Sequence, residues 1–257
     1  MEILYKNINW IKTKILKYFN EENKENILIL HGWWWKSESF KNFAEIIFKK
    51  WFNVFIPDLP WFWETKLDKT FDLDEYSTFI EKLIFDLWLE DFTLMWHSNW
   101  WAISIKLTNN KNIKIKKLVL YNSAGVRITK KMSFKRKVFK ILSIPFKPFK
   151  KFDFFKKLRI VFYKIIWNYD YVNSLKVPFL EETYKNIIGE DLQNIMKNIN
   201  TETLLIRWEK DTFTPISYWK IIKKNIKNSK MIVLDWEWHS PHLKNVEKLA
   251  NTFLNNI

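Results

Sequence analysis

The residues able to do chemistry stand in a few short segments. One is Leu94-Met95-Trp96-His97-Ser98-Asn99-Trp100-Trp101, between an apolar strand and a helix. With glycine in place of Trp96, Trp100 and Trp101 it reads G-H-S-N-G-G, a G-x-S-x-G turn. Such a turn is so tight that the residues two before and two after the serine must lack side chains. It lifts the serine hydroxyl to the N-terminus of the next helix, where developing negative charge is favoured. A serine hydroxyl is a poor nucleophile at neutral pH and needs a base to take its proton. The chain has four histidines, His31, His97, His239 and His242. It has no cysteine, hence no disulfide framework, thiolate metal site or cysteine nucleophile. No His/Asp/Glu cluster has metal-ligand spacing, and no glycine-rich phosphate loop is present. No metal and no cofactor are expected.

These residues need a scaffold, and 257 residues suit one α/β domain with an insertion. A hydrophobic content of 47% excludes wholesale disorder. The strand-helix rhythm is regular. Strands are read at Glu2–Lys6, Ile11–Phe19, Ile27–Leu30, Asn53–Ile56, Phe92–Met95, Lys117–Tyr121, Thr203–Ile206 and Met231–Leu234. Helices are read at 36–50, at 72–87 with an Asp72 cap, from about Ala102, at 216–225 and at 240–255. Short apolar strands alternating with helices call for a mostly parallel sheet covered on both faces. The rhythm pauses between about 126 and 200. Residues 1–125 and 201–257 therefore read as an α/β core, and 126–200 as an inserted helical cap.

The net charge of +15 is concentrated. Residues 127–160 hold 13 Lys/Arg and one acid, so +12 belongs to this segment and the remaining chain is nearly neutral. The segment interleaves its charges with Phe134, Phe139, Phe146, Phe149, Phe152, Phe154 and Phe155. A basic, aromatic stretch can bind nucleic acid or an anionic membrane. With no recognition motif, no nucleic-acid partner is expected. Transient contact with an anionic lipid surface stays open.

Further segments carry a family resemblance. Residues 31–35 are similar to an H-G-x-G-G loop, 57–63 to P-D-L-P-G-F-G, 208–215 to G-E-K-D-x-x-x-P, and 236–242 to G-x-G-H-x-P-H. With the serine turn they follow the motif order of the α/β-hydrolases, and the chain resembles that family over nearly its whole length. The resemblance implies an α/β-hydrolase fold and a Ser-Asp-His triad. Ser98 matches the nucleophile, Asp211 the acid and His239 the base. The backbone N–H groups of Trp33 and Asn99 match the oxyanion hole. His242 competes with His239, but the first histidine of the pattern is the family's base. His97 and His31 read as structural, and Asp58 as a loop brace.

The implied function is a serine hydrolase acting on a small-molecule ester, thioester or related acyl bond. The alternatives are a cap-mediated binding protein for anionic lipid and a hydrolase relative with a non-hydrolytic site. The N-terminus lacks the apolar stretch of a signal peptide and no run reaches membrane-spanning length, so a cytoplasmic protein is expected.

The chain has 3 glycines and 16 tryptophans, whereas ordinary glycine usage is about 7%. Ten tryptophans stand at glycine positions of the motifs: 34, 35, 61, 63, 96, 100, 101, 208, 236 and 238. Trp10, Trp51, Trp88, Trp167 and Trp219 read as turn or helix-end positions, and only Trp33 fits its motif as tryptophan. Restoring fifteen glycines gives 18, about 7%. A UGA codon read as glycine by the source accounts for this, and 39 Lys against 4 Arg fits an AT-rich genome. The tryptophan-bearing chain is expected to fold poorly or lack activity and, where it keeps the fold, to show crowded or outward-splayed indoles around Ser98.

Overall fold

A computed structural model describes residues 1–98, 101–123, 169–175, 177, 179–211, 214, 216–235 and 241–257. An eight-stranded sheet runs through the molecule in the order β1-β2-β4-β3-β5-β6-β7-β8. The strands are β1 (Glu2–Ile8), β2 (Ile11–Tyr18), β3 (Glu25–Leu30), β4 (Phe52–Pro57), β5 (Phe92–His97), β6 (Ile115–Tyr121), β7 (Glu202–Trp208) and β8 (Ser229–Leu234). β1 pairs antiparallel with β2, and β2 antiparallel with β4; the other pairings are parallel.

Alternation in the central strands builds two cores. Leu28 and Leu30 of β3, with Phe92, Leu94 and Trp96 of β5, face one side. Ile27 and Ile29 of β3 and Met95 of β5 face the other. Successive side chains of a strand point to opposite faces, so a strand buried on both reads as a continuous apolar run. Helices α1 (Lys41–Phe48), α2 (Leu73–Asp86), α3 (Trp101–Thr108), α4 (Tyr169–Ser174), α5 (Leu180–Gly189), α6 (Gln193–Met196), α7 (Ile216–Asn225), α8 (Pro241–Lys244) and α9 (Val246–Leu254) cover them. α2, α3 and α7 supply Phe79, Ile103 and Ile222 to the first core. α1 and α9 supply Phe43, Ile47, Leu249 and Phe253 to the second.

The Asp72 cap of α2 is a reciprocal one. Asp72 Oδ1 accepts from Glu75 N at 2.8 Å, and Glu75 Oε2 accepts from Asp72 N at 3.0 Å. Such a cap contributes about 1 kcal/mol. Several boundaries differ from expectation, and three of them have a plain local cause. The 36–50 segment opens as a 3-10 turn, Ser37–Phe40, before α1. β5 runs two residues beyond Met95, because His97 pairs in register with Tyr121 of β6. The C-terminal helix divides at Asn245, whose ψ of 51° breaks the helical path. Trp219 also differs: it lies inside α7, fully buried, not at a helix end.

Of the expected cap, residues 126–168 lie outside the described residues. The stretch 169–200 holds α4, α5 and α6. Leu180 and Ile187 of α5 and Met196 of α6 join the first core. Phe71 N donates to Thr183 Oγ1 of α5 at 2.9 Å. No helix among the described residues is long and apolar enough to cross a membrane.

Candidate active site

The parallel register sets the carboxyl ends of β3, β5, β6, β7 and β8 at one end of the sheet. Leu30 of β3 is level with Trp96 of β5, His97 with Tyr121 of β6, Tyr121 with Ile206 of β7, and Trp208 with Leu234 of β8. The segments that leave the carboxyl ends of β3, β5, β7 and β8 contain Trp33, Ser98, Asp211 and His239.

Ser98 follows β5 directly. It is buried and has φ 64°. A left-handed conformation is uncommon for serine and costs on the order of 1–3 kcal/mol, so it persists only where surrounding structure imposes it. Strained backbone of this kind clusters at functional sites. The loop after β3 lies against it. A Cβ built on Gly32 would sit 2.8 Å from Ser98 Cβ and 2.8 Å from His97 Nδ1, so only glycine lets the two backbones approach. Trp33, the next residue, is buried with ring contacts to Phe62 at 5.2 Å and Tyr184 of α5 at 5.1 Å.

That loop is braced from below. His31 is fully buried; its Nε2 accepts from Leu59 N at 2.9 Å, and its Nδ1 is 2.9 Å from Gly32 O. Nε2 must hold a lone pair to accept an N–H, so the ring proton is on Nδ1 and donates to Gly32 O. Burial pushes the imidazole below its ordinary range, against the opposing fields of Asp58 and Glu38. Asp58 Oδ1 accepts from Ser37 N at 2.7 Å.

Asp211 stands three residues beyond β7 and is buried. Its Oδ2 accepts from Thr214 Oγ1 at 2.6 Å and its Oδ1 from Thr214 N at 3.2 Å. Arg207 staples the same turn, donating from Nη2 to the carbonyls of Asp211 at 3.3 Å and Thr214 at 3.4 Å. Sequence reasoning missed Thr214, whose only signal is a hydroxyl three residues after the acid.

Two further histidines, His97 and His242, form a buried aromatic block. His97 stacks on Tyr121 with centroids 4.6 Å apart, and its ring meets that of His242 at 4.8 Å. His242 lies parallel to Phe40 at 4.3 Å, and its Nδ1 is hydrogen-bonded to the Tyr121 hydroxyl. Burial pushes that hydroxyl well above the ordinary tyrosine range, so it stays protonated and donates to Nδ1. Sequence spacing gave no hint of this block, whose members come from the ends of β5 and β6 and the segment after β8. Asn99 and His239 lie outside the described residues. Among the described residues no group of three or more His, Asp or Glu could hold a metal ion.

Comparison with known proteins bears on the fold. No family model and no curated protein matches the sequence. Solved structures do. An esterase from Exiguobacterium antarcticum superposes with TM-score 0.75 at 18% identity, covering 99% of this chain and 98% of the esterase. A bromoperoxidase from Bacillus anthracis gives TM-score 0.73 at 16% identity, with 99% of both chains covered. An alpha/beta hydrolase enzyme from the metagenome of Mar Chica lagoon sediments gives TM-score 0.69 at 16% identity, covering 99% of this chain and 97% of that one. With this likeness over the whole length, a mostly parallel eight-stranded sheet and helices on both its faces, the chain adopts the α/β-hydrolase fold.

Proposed function

We propose that this chain is a serine hydrolase that cleaves an ester, thioester or related acyl bond. The observation that carries the reading is Ser98, held at φ 64° on the turn after β5 with the Gly32 backbone against it. Solved structures of the same fold include an esterase and a thioesterase domain. In this reading Ser98 Oγ attacks the acyl carbonyl while His239 takes its proton. Asp211 orients the imidazole and stabilises the imidazolium. The N–H groups of Trp33 and Asn99 donate to the developing oxyanion. Collapse forms an acyl-serine and releases the alcohol or thiol, protonated by the imidazolium. Water, deprotonated by the same imidazole, then releases the acid and restores the serine. His242, packed between Phe40 and Tyr121, is the weaker candidate for the base.

Residues 126–200 act as the cap in this reading, supported by the contact of Tyr184 with Trp33 beside the nucleophile turn. The lack of cysteine fits a cytoplasmic enzyme. A serine-directed phosphonate and a series of acyl esters of rising chain length test the proposal. The tryptophan-bearing chain and one with glycine at the fourteen positions other than 219 both go into the assay. Labelling is expected on Ser98 and lost in Ser98→Ala. Asp211→Asn and His239→Ala are expected to lower kcat by about 10⁴-fold without unfolding. A folded protein that labels equally with and without Ser98 refutes the assignment.

A second reading, binding to anionic lipid, rests on the +12 charge of residues 127–160. It is compatible with hydrolysis of a lipid-like acyl substrate.

A further inference from the structure

The backbone and the buried indoles single out a set of tryptophans. Among the described residues eleven non-glycine residues have positive φ, and six of them are tryptophan: Trp10, Trp34, Trp51, Trp61, Trp63 and Trp88, at 51° to 79°. Tryptophan makes up 16 of 257 residues, so the concentration is far above its share. Asn9, Asp91 and Asn122 are of types that tolerate this region, and Ser98 is the strained turn itself. Phe179, the eleventh, has no such account. A bulky side chain at positive φ is a steric outlier, whereas glycine enters that region freely. Two of the six side chains give no reason for tryptophan either, whereas the Trp63 indole donates to Trp35 O at 3.2 Å and Trp34 and Trp61 pack against the first core. Trp10 is 94% exposed and Trp88 89% exposed.

A second mark is independent of the first. The indole N–H groups of Trp34, Trp61, Trp96, Trp101 and Trp208 are buried without a hydrogen-bond partner among the described residues. Buried indole N–H groups ordinarily find an acceptor. Of the eleven described tryptophans at expected glycine positions, nine carry one mark or both; Trp35 and Trp219 carry neither. Trp219 donates from its indole to Thr214 Oγ1 at 3.2 Å.

We infer that the natural polypeptide carries glycine at positions 10, 34, 51, 61, 63, 88, 96, 101 and 208, encoded by UGA codons that the source reads as glycine. Neither mark depends on the hydrolase reading. The consequence for the site does. Glycine at 96 and 101 removes the two indoles flanking the serine turn. Glycine at 34 frees the loop next to Gly32 and Trp33, the proposed oxyanion donor.

The gene and the native protein decide the matter. UGA is expected at all nine codons, and peptides from the source organism should carry glycine residue masses there. UGG codons, or tryptophan masses at 34, 61, 96 and 101, overturn the inference. A recombinant pair separates it from the proposed activity. The glycine chain should melt cooperatively and label with a serine-directed phosphonate, and the tryptophan chain should do neither. Glycine in the native peptides with no labelling of the folded glycine chain would leave this inference standing and sink the hydrolase. Tryptophan in the native peptides with labelling at Ser98 would do the reverse.

Discussion

Thr214 grips Asp211 with two donors, its hydroxyl to Oδ2 at 2.6 Å and its backbone N–H to Oδ1 at 3.2 Å. The Trp219 indole donates to the same hydroxyl at 3.2 Å. An indole nitrogen only donates, so it takes a lone pair of the hydroxyl and leaves the hydroxyl hydrogen for Asp211.

If Asp211 is the triad acid as proposed, Thr214 is its positioning residue in the glycine-bearing chain. A hydrogen bond to a carboxylate contributes about 1.5–3 kcal/mol, so Thr214→Val should lower kcat/KM by about 10- to 100-fold with KM nearly unchanged. The freed carboxylate is more basic and stabilises the imidazolium more. The acid limb of the pH–rate profile should therefore move to higher pH. Thr214→Ser should restore both rate and profile. A Thr214→Val profile that keeps the original pH midpoint would reduce Thr214 to a packing role.

Much of this architecture is legible in the sequence, because short apolar strands and amphipathic helices report their own burial. The Asp72 cap is legible for the same local reason: Glu75 stands three residues on and closes the box. The end of β5 is less so. Read with glycine at 96, the strand stops at Met95, yet pairing of His97 with Tyr121 carries the ladder two residues further. The grip of Thr214 on Asp211 and the stacking of His242 on Phe40 depend on side-chain direction and on strands far apart in sequence. No periodicity encodes either.

Gly32 permits no side chain. A methyl group there would sit 2.8 Å from both Ser98 Cβ and His97 Nδ1, well inside contact distance. Gly32→Ala must push the loop away from the serine turn and with it the N–H of Trp33. Overpacking costs about 1–3 kcal/mol, and, if the Trp33 N–H is an oxyanion donor as proposed, its displacement costs about 10²- to 10³-fold in kcat. Ester turnover and a denaturant melt on the same preparation check this. A variant with full kcat would show that the loop after β3 does not serve the reaction.

The basic segment makes a separate prediction. If its 13 Lys/Arg meet anionic headgroups, the protein should bind phosphatidylserine-containing vesicles at low salt and release as salt rises. Screening drives the release, because the Debye length falls from about 10 Å at 0.1 M to about 3 Å at 1 M. Co-sedimentation with charged and with neutral vesicles measures it. Equal binding to both, or binding indifferent to salt, removes the electrostatic reading.

His31 makes the fold sensitive to acid. Its Nε2 accepts from Leu59 N and its Nδ1 donates to Gly32 O, so the buried ring is neutral and both nitrogens are engaged. A second proton on Nε2 would break the Leu59 bond and charge a fully buried ring. Burial lowers the folded-state pKa, while Asp58 and Glu38 act against it. The unfolded chain takes up that proton near pH 6.5 and the folded chain only at lower pH. Below about 6.5 the unfolded state therefore binds more protons, and stability falls as pH drops, by up to about 1.4 kcal/mol per pH unit. The loss ends once the folded ring is protonated too. His31→Gln should be less stable near neutral pH, because one buried partner is lost, yet its stability should depend less on pH below 6.5. Urea titrations of both proteins across that range check this, the difference between them cancelling contributions common to both. A variant with the same acid slope as the parent would show that His31 is already protonated in the fold.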